Sequence, residues 1–149
     1  MQVHQIYTGS DLRNFTYVIH STDGALVYCI DPYDAGQVAE FTTARGLKLT
    51  HVINTHEHPD HINGNPGLLE RYPDLRVCAH EAIGAMIPGF NQGVAAGDRL
   101  PLGDGAYLEA LDTPGHSRAH VCLLLRDPAA EERSARDPRG APAAVFTGD

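Results

Sequence analysis

Metal-binding side chains are concentrated in one short segment, directly after a strand-like run. Residues 49–54 are mostly apolar or β-branched, and they lead into T-H-E-H-P-D-H at positions 55–61. Ligands of open α/β proteins gather at the carboxyl ends of strands, and imidazole and carboxylate are donors that zinc and related divalent ions accept. The alternative is a polar surface loop. The order H-x-H-x-D-H favours a metal site, with candidate ligands His56, His58, Asp60 and His61.

Two later segments supply further candidate ligands. The sequence D-T-P-G-H-S at 112–117 places His116 in a turn between two strand-like runs, and F-T-G-D at 146–149 places Asp149 at a strand end. Asp31 stands between a strand-like run and Pro32, a position at which Asp is typical as a turn former. His120 enters an apolar run and is interpreted as a structural histidine, either directly behind the ligands or at the edge of the core.

The spacing of apolar residues predicts both strands and helices. Short β-branched and aromatic runs separated by turn signals predict three consecutive antiparallel strands, at 3–8, 15–20 and 25–30. Apolar positions at helical spacing predict a helix over 34–45 that stops at Gly46. Further strands are predicted at 49–54, 76–79, 107–111, 120–125 and 144–147, and a second helix at 67–72.

The remaining segments are predicted to be connections. Residues 55–65 are interpreted as a loop, 87–105 as loop with one short strand, and 127–142 as a solvated connection, because they are rich in Gly, Pro or charge. Antiparallel strands followed by alternating helices and strands indicate a mixed sheet, of the α/β or α+β class. At 149 residues and 16.1 kDa, the chain has the size of one domain.

Charge and cysteine content narrow the class of partner. Eleven basic and 19 acidic residues give a net charge of −8, which argues against nucleic acid or an anionic membrane surface as a partner. Cys29, Cys78 and Cys122 are scattered singly and predict reduced thiols. The chain has no signal-peptide pattern and no apolar run near the ~20 residues of a membrane helix. We therefore expect a soluble, cytoplasmic protein.

Four motifs together resemble the metallo-β-lactamase superfamily of metallohydrolases. They are I-D-P at 30–32, H-x-H-x-D-H at 56–61, T-P-G-H at 113–116 and F-T-G-D at 146–149, in the family's order. The resemblance covers essentially the whole chain. It implies that residues 1–149 are a metallo-β-lactamase-like domain, incomplete at the C-terminus, and the larger portion of an αββα sandwich.

The resemblance also implies a ligand set for two divalent ions, with zinc expected and iron or manganese as alternatives. His56, His58 and His116 would hold one ion, Asp60 and His61 would hold a second, and Asp149 would bridge the two. Asp60 would also orient the attacking hydroxide as a catalytic residue. Asp31 would hydrogen-bond near the ligand loops, as the family's acidic residue at a strand end does.

Within the superfamily, the chain most resembles glyoxalase II, the hydroxyacylglutathione hydrolases. The local similarities include N-F-T-Y-V-I at 14–19, Gly64-Asn65, I-P-G at 87–89 and A-G-D at 96–98. The implied reaction is metal-dependent hydrolysis of a thioester such as S-D-lactoylglutathione, by a metal-bound hydroxide. The implied partner is therefore a small glutathione conjugate.

Two alternatives stay open. Persulfide dioxygenases of the same fold bind a single iron, and the equivalent ligands here would be His56, His116 and Asp149, a set suited to non-haem Fe(II). The other alternative is a catalytically impaired metal-binding fragment. The family pattern continues past F-T-G-D to a further histidine of the second metal site, so we expect this chain to be truncated, with that site incomplete and turnover low. An exposed sheet edge is then expected to promote dimerisation.

Overall fold

The computed structural model describes residues 1–128, 132 and 144–149, which form ten strands and several helices. The strands are β1 (Gln2–Tyr7), β2 (Phe15–His20), β3 (Val27–Ile30), β4 (His51–Ile53), β5 (Arg76–His80), β6 (Gln92–Val94), β7 (Arg99–Gly103), β8 (Ala106–Asp112), β9 (Val121–Arg126) and β10 (Val145–Phe146). The helices are α1 (Ala35–Thr43), α2 (Pro59–Ile62), α3 (Asn65–Arg71) and a 3₁₀ helix (Glu81–Met86). The strands form a six-stranded sheet in the order β1-β2-β3-β4-β5-β6 and a four-stranded sheet in the order β10-β9-β8-β7.

The six-stranded sheet changes from antiparallel to parallel pairing at β3. β1, β2 and β3 pair antiparallel, as the turn signals between them predict. The pairs β3·β4, β4·β5 and β5·β6 are parallel. Parallel neighbours need a crossover connection, and α1 supplies the first while α2 and α3 lie in the second. As a result, β3 and β4 end at the same edge of the sheet.

Two apolar cores lie on opposite faces of the six-stranded sheet. On one face, Val38 of α1 and Leu68 of α3 are buried in a cluster with Val52 of β4. On the other face, Ile53 of β4 is buried with Leu108 and Leu123 of the four-stranded sheet. Adjacent residues of one strand point to opposite faces, which explains why Val52 and Ile53 serve different cores. The described residues thus form helix, sheet and sheet layers of a mixed α+β sandwich, and the predicted fold class is confirmed.

Most of the predicted elements are present, with ends that differ by a few residues. Helix α1 is preceded by Asp34, whose Oδ1 accepts a hydrogen bond from the Gln37 N–H at 3.0 Å. That contact satisfies one of the unpaired donors at the helix start and stabilises the N-terminus. The three predicted strands after residue 105 are also present, as β8, β9 and β10.

Two of the predicted connections are wrong. The segment 55–65 contains helix α2, with Pro59 at its first position, where a fixed φ suits a helix and the missing N–H is not needed. The segment 87–105 contains two strands, β6 and β7, in place of one. Both lie at sheet edges, where Gly93 and Pro101 are tolerated although they weaken a strand signal.

Most of the connection predicted at 127–142 lies outside the described residues. The three cysteines are free thiols; Cys29 and Cys78 are buried and Cys122 is half-buried. Among the described residues, no helix combines the length and the apolar character that crossing a bilayer requires.

Candidate metal centre

Segments that are distant in sequence meet at one edge of the two sheets. Asp31 follows β3, and residues 55–61 follow β4 at the edge where these parallel strands end. His116 lies in the turn between β8 and β9, and Asp149 follows β10. The Val121 N–H at the start of β9 donates to the Thr55 carbonyl at 2.9 Å, which joins the second sheet to the β4 loop. The two-sheet topology therefore brings all the predicted ligands together.

His56, His58 and His116 form the first group, which we call the three-histidine cluster. His58 Nδ1 lies 3.0 Å from His56 Nε2 and 2.8 Å from His116 Nε2. His56 is fully buried at the base of the cluster, whereas His116 is 41% exposed at its rim. The cluster is therefore anchored in the fold on one side and open to solvent on the other.

The donor set of this cluster fits a divalent cation. Nitrogens bound to one tetrahedral zinc at ~2.0–2.1 Å are about 3.3 Å apart, and the observed separations of 3.0 and 2.8 Å are slightly shorter. Burial lowers the pKa of His56 to about 4; His61 adds to the lowering and Asp31 opposes it. A neutral imidazole has a lone pair to offer, so His56 is available as a ligand at neutral pH.

Asp60, His61 and Asp149 form the second group, which we call the His61 cluster. His61 Nε2 lies 3.2 Å from Asp149 Oδ1 and 3.3 Å from Asp60 Oδ2. The other carboxylate oxygen of Asp149, Oδ2, lies 3.6 Å from His116 Nε2. The donor atoms of His56, His61 and Asp149 lie within 4.8 Å of one another. The Asp149 carboxylate therefore lies between the two clusters.

Asp31 supports the His61 cluster from behind. Its Oδ1 accepts a hydrogen bond from the Thr55 N–H at 2.7 Å, and its Oδ2 accepts one from the Thr55 hydroxyl at 2.8 Å. The same Oδ2 lies 3.0 Å from His61 Nδ1. Asp31 also has a φ of 51°, a left-handed conformation that Asp tolerates at turns. Asp31 is thus both a turn residue and a direct partner of the ligand loop.

The charges around His61 favour its protonated form when no ion is bound. Burial lowers its pKa, but the hydrogen bond and charge of Asp31, with the charges of Asp149 and Asp60, outweigh burial and raise the pKa overall. A site that favours a proton here also favours a metal cation, because both are attracted by the same carboxylates.

Two contacts of the site were not predicted from the sequence. The Ser117 hydroxyl donates to Glu57 Oε2 at 2.6 Å and ties the His116 turn to the β4 loop. The Asn14 side-chain amide donates to Asp60 Oδ2. Glu57 stands at a variable position of the H-x-H-x-D-H motif, and Asn14 is 46 residues from Asp60 in sequence. No local spacing pattern therefore identifies either contact.

His120 and Gly148 lie close to each other, next to Asp149. His120 is 3% exposed; its Nδ1 lies 2.8 Å from Thr113 Oγ1, and its Nε2 is buried with no hydrogen-bond partner among the described residues. Gly148 has a φ of +61°, and a Cβ there would lie 2.5 Å from Thr55 Oγ1 and 2.8 Å from His120 Nε2. Only glycine therefore lets the F-T-G-D segment approach the β4 loop this closely.

The other histidines lie outside both clusters. His51 stacks on Tyr28 with ring centroids 4.2 Å apart, and His4 stacks on His20 at 5.3 Å. His80 lies 3.8 Å from Asp112. A cavity of about 620 Å³ is lined by His51, Tyr28 and Arg76 at the opposite end of β4. No group of candidate metal ligands converges there among the described residues, so the candidate site is the pair of clusters.

Comparison with known proteins identifies the family of the chain. The family model of the metallo-beta-lactamase superfamily matches residues 10–128. Hydroxyacylglutathione hydrolase of Polaromonas sp. (strain JS666 / ATCC BAA-500) is 39% identical over 123 residues, covering 83% of this chain and 46% of that protein. The protein of the same name from Nitrosococcus oceani (strain ATCC 19707 / BCRC 17464 / JCM 30415 / NCIMB 11848 / C-107) is 37% identical over 124 residues, covering 83% and 47%. The chain spans about half the length of these curated relatives.

Solved structures share the fold. ETHE1 from Myxococcus xanthus has a TM-score of 0.71 at 30% identity, covering 84% of this chain and 54% of that chain. The BLEG-1 B3 metallo-beta-lactamase has a TM-score of 0.72 at 19% identity, covering 83% and 67%, and at that identity it supports the fold alone. Since the family model matches most of the chain, and relatives above 30% identity align with it, the chain belongs to the metallo-beta-lactamase superfamily.

Proposed function

We propose that this chain carries the metal centre of a thioester hydrolase of the glyoxalase II type. The observation that carries the proposal is the position of the Asp149 carboxylate. One of its oxygens lies 3.2 Å from His61 Nε2 and the other 3.6 Å from His116 Nε2. A carboxylate shared in this way suits two neighbouring cations, because each oxygen can contact one of them.

The proposed ligands follow the two clusters. His56, His58 and His116 would hold one divalent ion, Asp60 and His61 would hold the second, and Asp149 would be a ligand of both. Imidazole with carboxylate is a donor set that zinc, iron and manganese all accept, and zinc is the proposed ion. When bound, such ions would lower the pKa of bound water and polarise a substrate carbonyl.

The protein's own groups have distinct roles in this proposal. Asp60 orients the attacking water through its carboxylate, as a catalytic residue. Asp31 and Thr55 hold the ligand loop in place, through the two hydrogen bonds from Thr55 to the Asp31 carboxylate. The exposed side of His116 faces solvent, where a substrate would enter.

The proposed substrate class is a glutathione thioester such as S-D-lactoylglutathione. The support is the name of the curated relatives, hydroxyacylglutathione hydrolase, at 37% and 39% identity. The chain spans about half the length of those proteins, so hydrolysis of a glutathione thioester is proposed for the whole protein. The proposed compartment is the cytoplasm, a reducing environment that the three free cysteines fit.

Metal analysis and a thiol-release assay test the function together. We expect the purified protein to bind zinc-like ions, the second more weakly than the first, and to release free thiol from S-D-lactoylglutathione at a low rate. The His116→Ala variant is expected to lose thiol release, and the matched variant His80→Ala, outside the clusters, to keep it. One iron per chain with oxygen consumption and no thiol release would overturn the proposal and support the persulfide dioxygenase alternative, with His56, His116 and Asp149 as ligands.

The edge strand β10 of the four-stranded sheet is the proposed site of dimerisation. Among the described residues β10 pairs only with β9, and Val145 on β10 is 50% exposed. An open strand edge can pair with a second copy, so we propose a dimer through this edge. Light scattering after size-exclusion chromatography tests it: a monomer at all concentrations contradicts the dimer without affecting the metal centre.

A further inference from the structure

The loop between β1 and β2 reaches into the His61 cluster. Asn14 is the last residue of this loop, directly before β2. Together with Asp31, His61 and Asp149, it lines a cavity of about 180 Å³. The loop is therefore placed to act on that cluster, although it contributes none of the predicted ligands.

The backbone of Asn14 is held independently of its side chain. The Thr8 N–H and the Thr8 hydroxyl both donate to the Asn14 carbonyl, at 3.1 and 2.9 Å. Arg13, with a φ of 59°, donates its N–H to the Ser10 carbonyl at 3.0 Å. The loop is thus closed by its own hydrogen bonds, and removing the Asn14 amide leaves these contacts intact.

The Asn14 side chain is directed at two proposed ligands of one ion. Its Nδ2 donates a hydrogen bond to Asp60 Oδ2 and lies 3.2 Å from His61 Nε2. Those two atoms are themselves 3.3 Å apart. Among the described residues, the amide forms no hydrogen bond with any member of the three-histidine cluster. An effect of Asn14 is therefore expected to be confined to the His61 cluster.

We propose that Asn14 is a positioning residue that selectively sets the affinity of the His61 cluster for its divalent ion. The amide holds the Asp60 carboxylate in the orientation that faces His61, so less conformational freedom is lost when an ion binds. This inference rests on the proposed two-ion centre and deepens it. Partners that orient metal ligands typically contribute 10–100-fold in metal affinity.

Zinc titration with a competing chelator tests the inference without using activity. We expect the unsubstituted chain to bind one ion tightly and a second more weakly. Asn14→Ala is expected to weaken the second ion by about 10–100-fold and to change the first by less than about threefold. The matched control is Asn63→Ala, because the exposed Asn63 amide donates to the Tyr33 carbonyl at 3.3 Å and forms no hydrogen bond with either cluster among the described residues.

A second variant separates positioning from direct ligation. Asn14→Asp keeps the size of the side chain but replaces the donor with a carboxylate beside Asp60. Positioning predicts that this variant also loses affinity for the second ion. Equal or tighter binding of the second ion by Asn14→Asp would overturn the inference, because it would show that position 14 acts through charge or ligation. Thermal melting of the metal-free variants checks that they fold.

The outcomes distinguish this inference from the proposed function. Unchanged binding of the second ion by Asn14→Ala, or binding of one ion only by the unsubstituted chain, overturns the role of Asn14. Either result is compatible with thiol release, which tests the function separately. Conversely, selective loss of the second ion in a protein that does not hydrolyse thioesters supports the role of Asn14 and contradicts the proposed function.

Discussion

The two clusters of the candidate centre are built in opposite ways. The three-histidine cluster consists of imidazoles, and its outermost member His116 is 41% exposed. In the His61 cluster the histidine is 3% exposed, and three carboxylates, of Asp31, Asp60 and Asp149, lie within 3.3 Å of its ring nitrogens. One cluster therefore consists of imidazole donors that are partly open to solvent, whereas the other has a buried histidine surrounded by carboxylates.

The largest expected effect follows from removing the residue that contacts both clusters. Donor atoms of His56 lie within 4.8 Å of those of His58 and His116, and also within 4.8 Å of those of His61 and Asp149. Since loss of an outer partner alone costs 10–100-fold in metal affinity, we expect His56→Ala to weaken the first ion by more than about 100-fold and also to weaken the second. Zinc titration measures both. His80→Ala is the control, and retention of two tightly bound ions by His56→Ala would contradict the proposed ligand set.

A smaller effect, confined to one cluster, is expected from Asp31→Asn. The substitution keeps the size of the side chain but removes the negative charge 3.0 Å from His61 Nδ1. We expect affinity for the second ion to fall by about 10–100-fold, with little change in the first. Asp34→Asn, at the start of α1, is a matched control. Equal weakening of both ions would show that Asp31 supports the whole loop, and would remove the contrast between the clusters.

The position of Asp149 can be tested through the glycine before it. In Gly148→Ala, the new Cβ would lie 2.5 Å from Thr55 Oγ1, so the F-T-G-D segment must move. Gly9→Ala is the matched control, because its φ of +71° carries the same left-handed cost but nothing lies within 4 Å of its Cβ. We expect Gly148→Ala to lose about 1–3 kcal/mol more stability in urea denaturation than Gly9→Ala. Equal losses would mean that the close approach is unimportant.

The stability of the metal-free protein in acid is expected to depend on His56 and His61 in opposite directions. The folded pKa of His56, about 4, is lowered chiefly by burial, so the unfolded state binds more protons and stability falls as pH drops from about 6.5 towards 4. For His61, burial lowers the pKa but the neighbouring carboxylates raise it overall. Its stabilising contribution is therefore present below the unfolded pKa and is lost as pH rises through the folded value.

Substitution of each histidine tests that difference. The free energy of unfolding decreases between pH 7.5 and pH 5 as His56 becomes protonated. We expect this decrease to be smaller in His56→Gln by about 1–2 kcal/mol. His61→Gln is expected to enlarge the same decrease, because it removes a group that is stabilising in acid. Urea denaturation of the metal-free variants at the two pH values measures both. A change of the same sign in the two variants would contradict the assigned electrostatics.

Predictions from local patterns succeeded where one segment determined the outcome. The alternation and turn signals of the first 30 residues identify β1, β2 and β3, because each signal lies within a few residues. Patterns missed α2 and predicted only one strand in the segment that contains β6 and β7. These elements are short, with Pro59, Gly93 or Pro101 in each, and they are stabilised by neighbouring segments more than by their own composition.

The order of histidines and aspartates was sufficient to identify the candidate ligands of both clusters, because donor chemistry depends on residue type. Local patterns also predicted the mixture of strands and helices, and the family resemblance implied a shared Asp149 and a supporting Asp31. The specific contacts came from the tertiary structure: Asp149 with His61, Asp31 with His61, and Asn14 with Asp60. These contacts join residues about 30 to 90 positions apart, and the parallel ends of β3 and β4 with the packing of the second sheet bring them together.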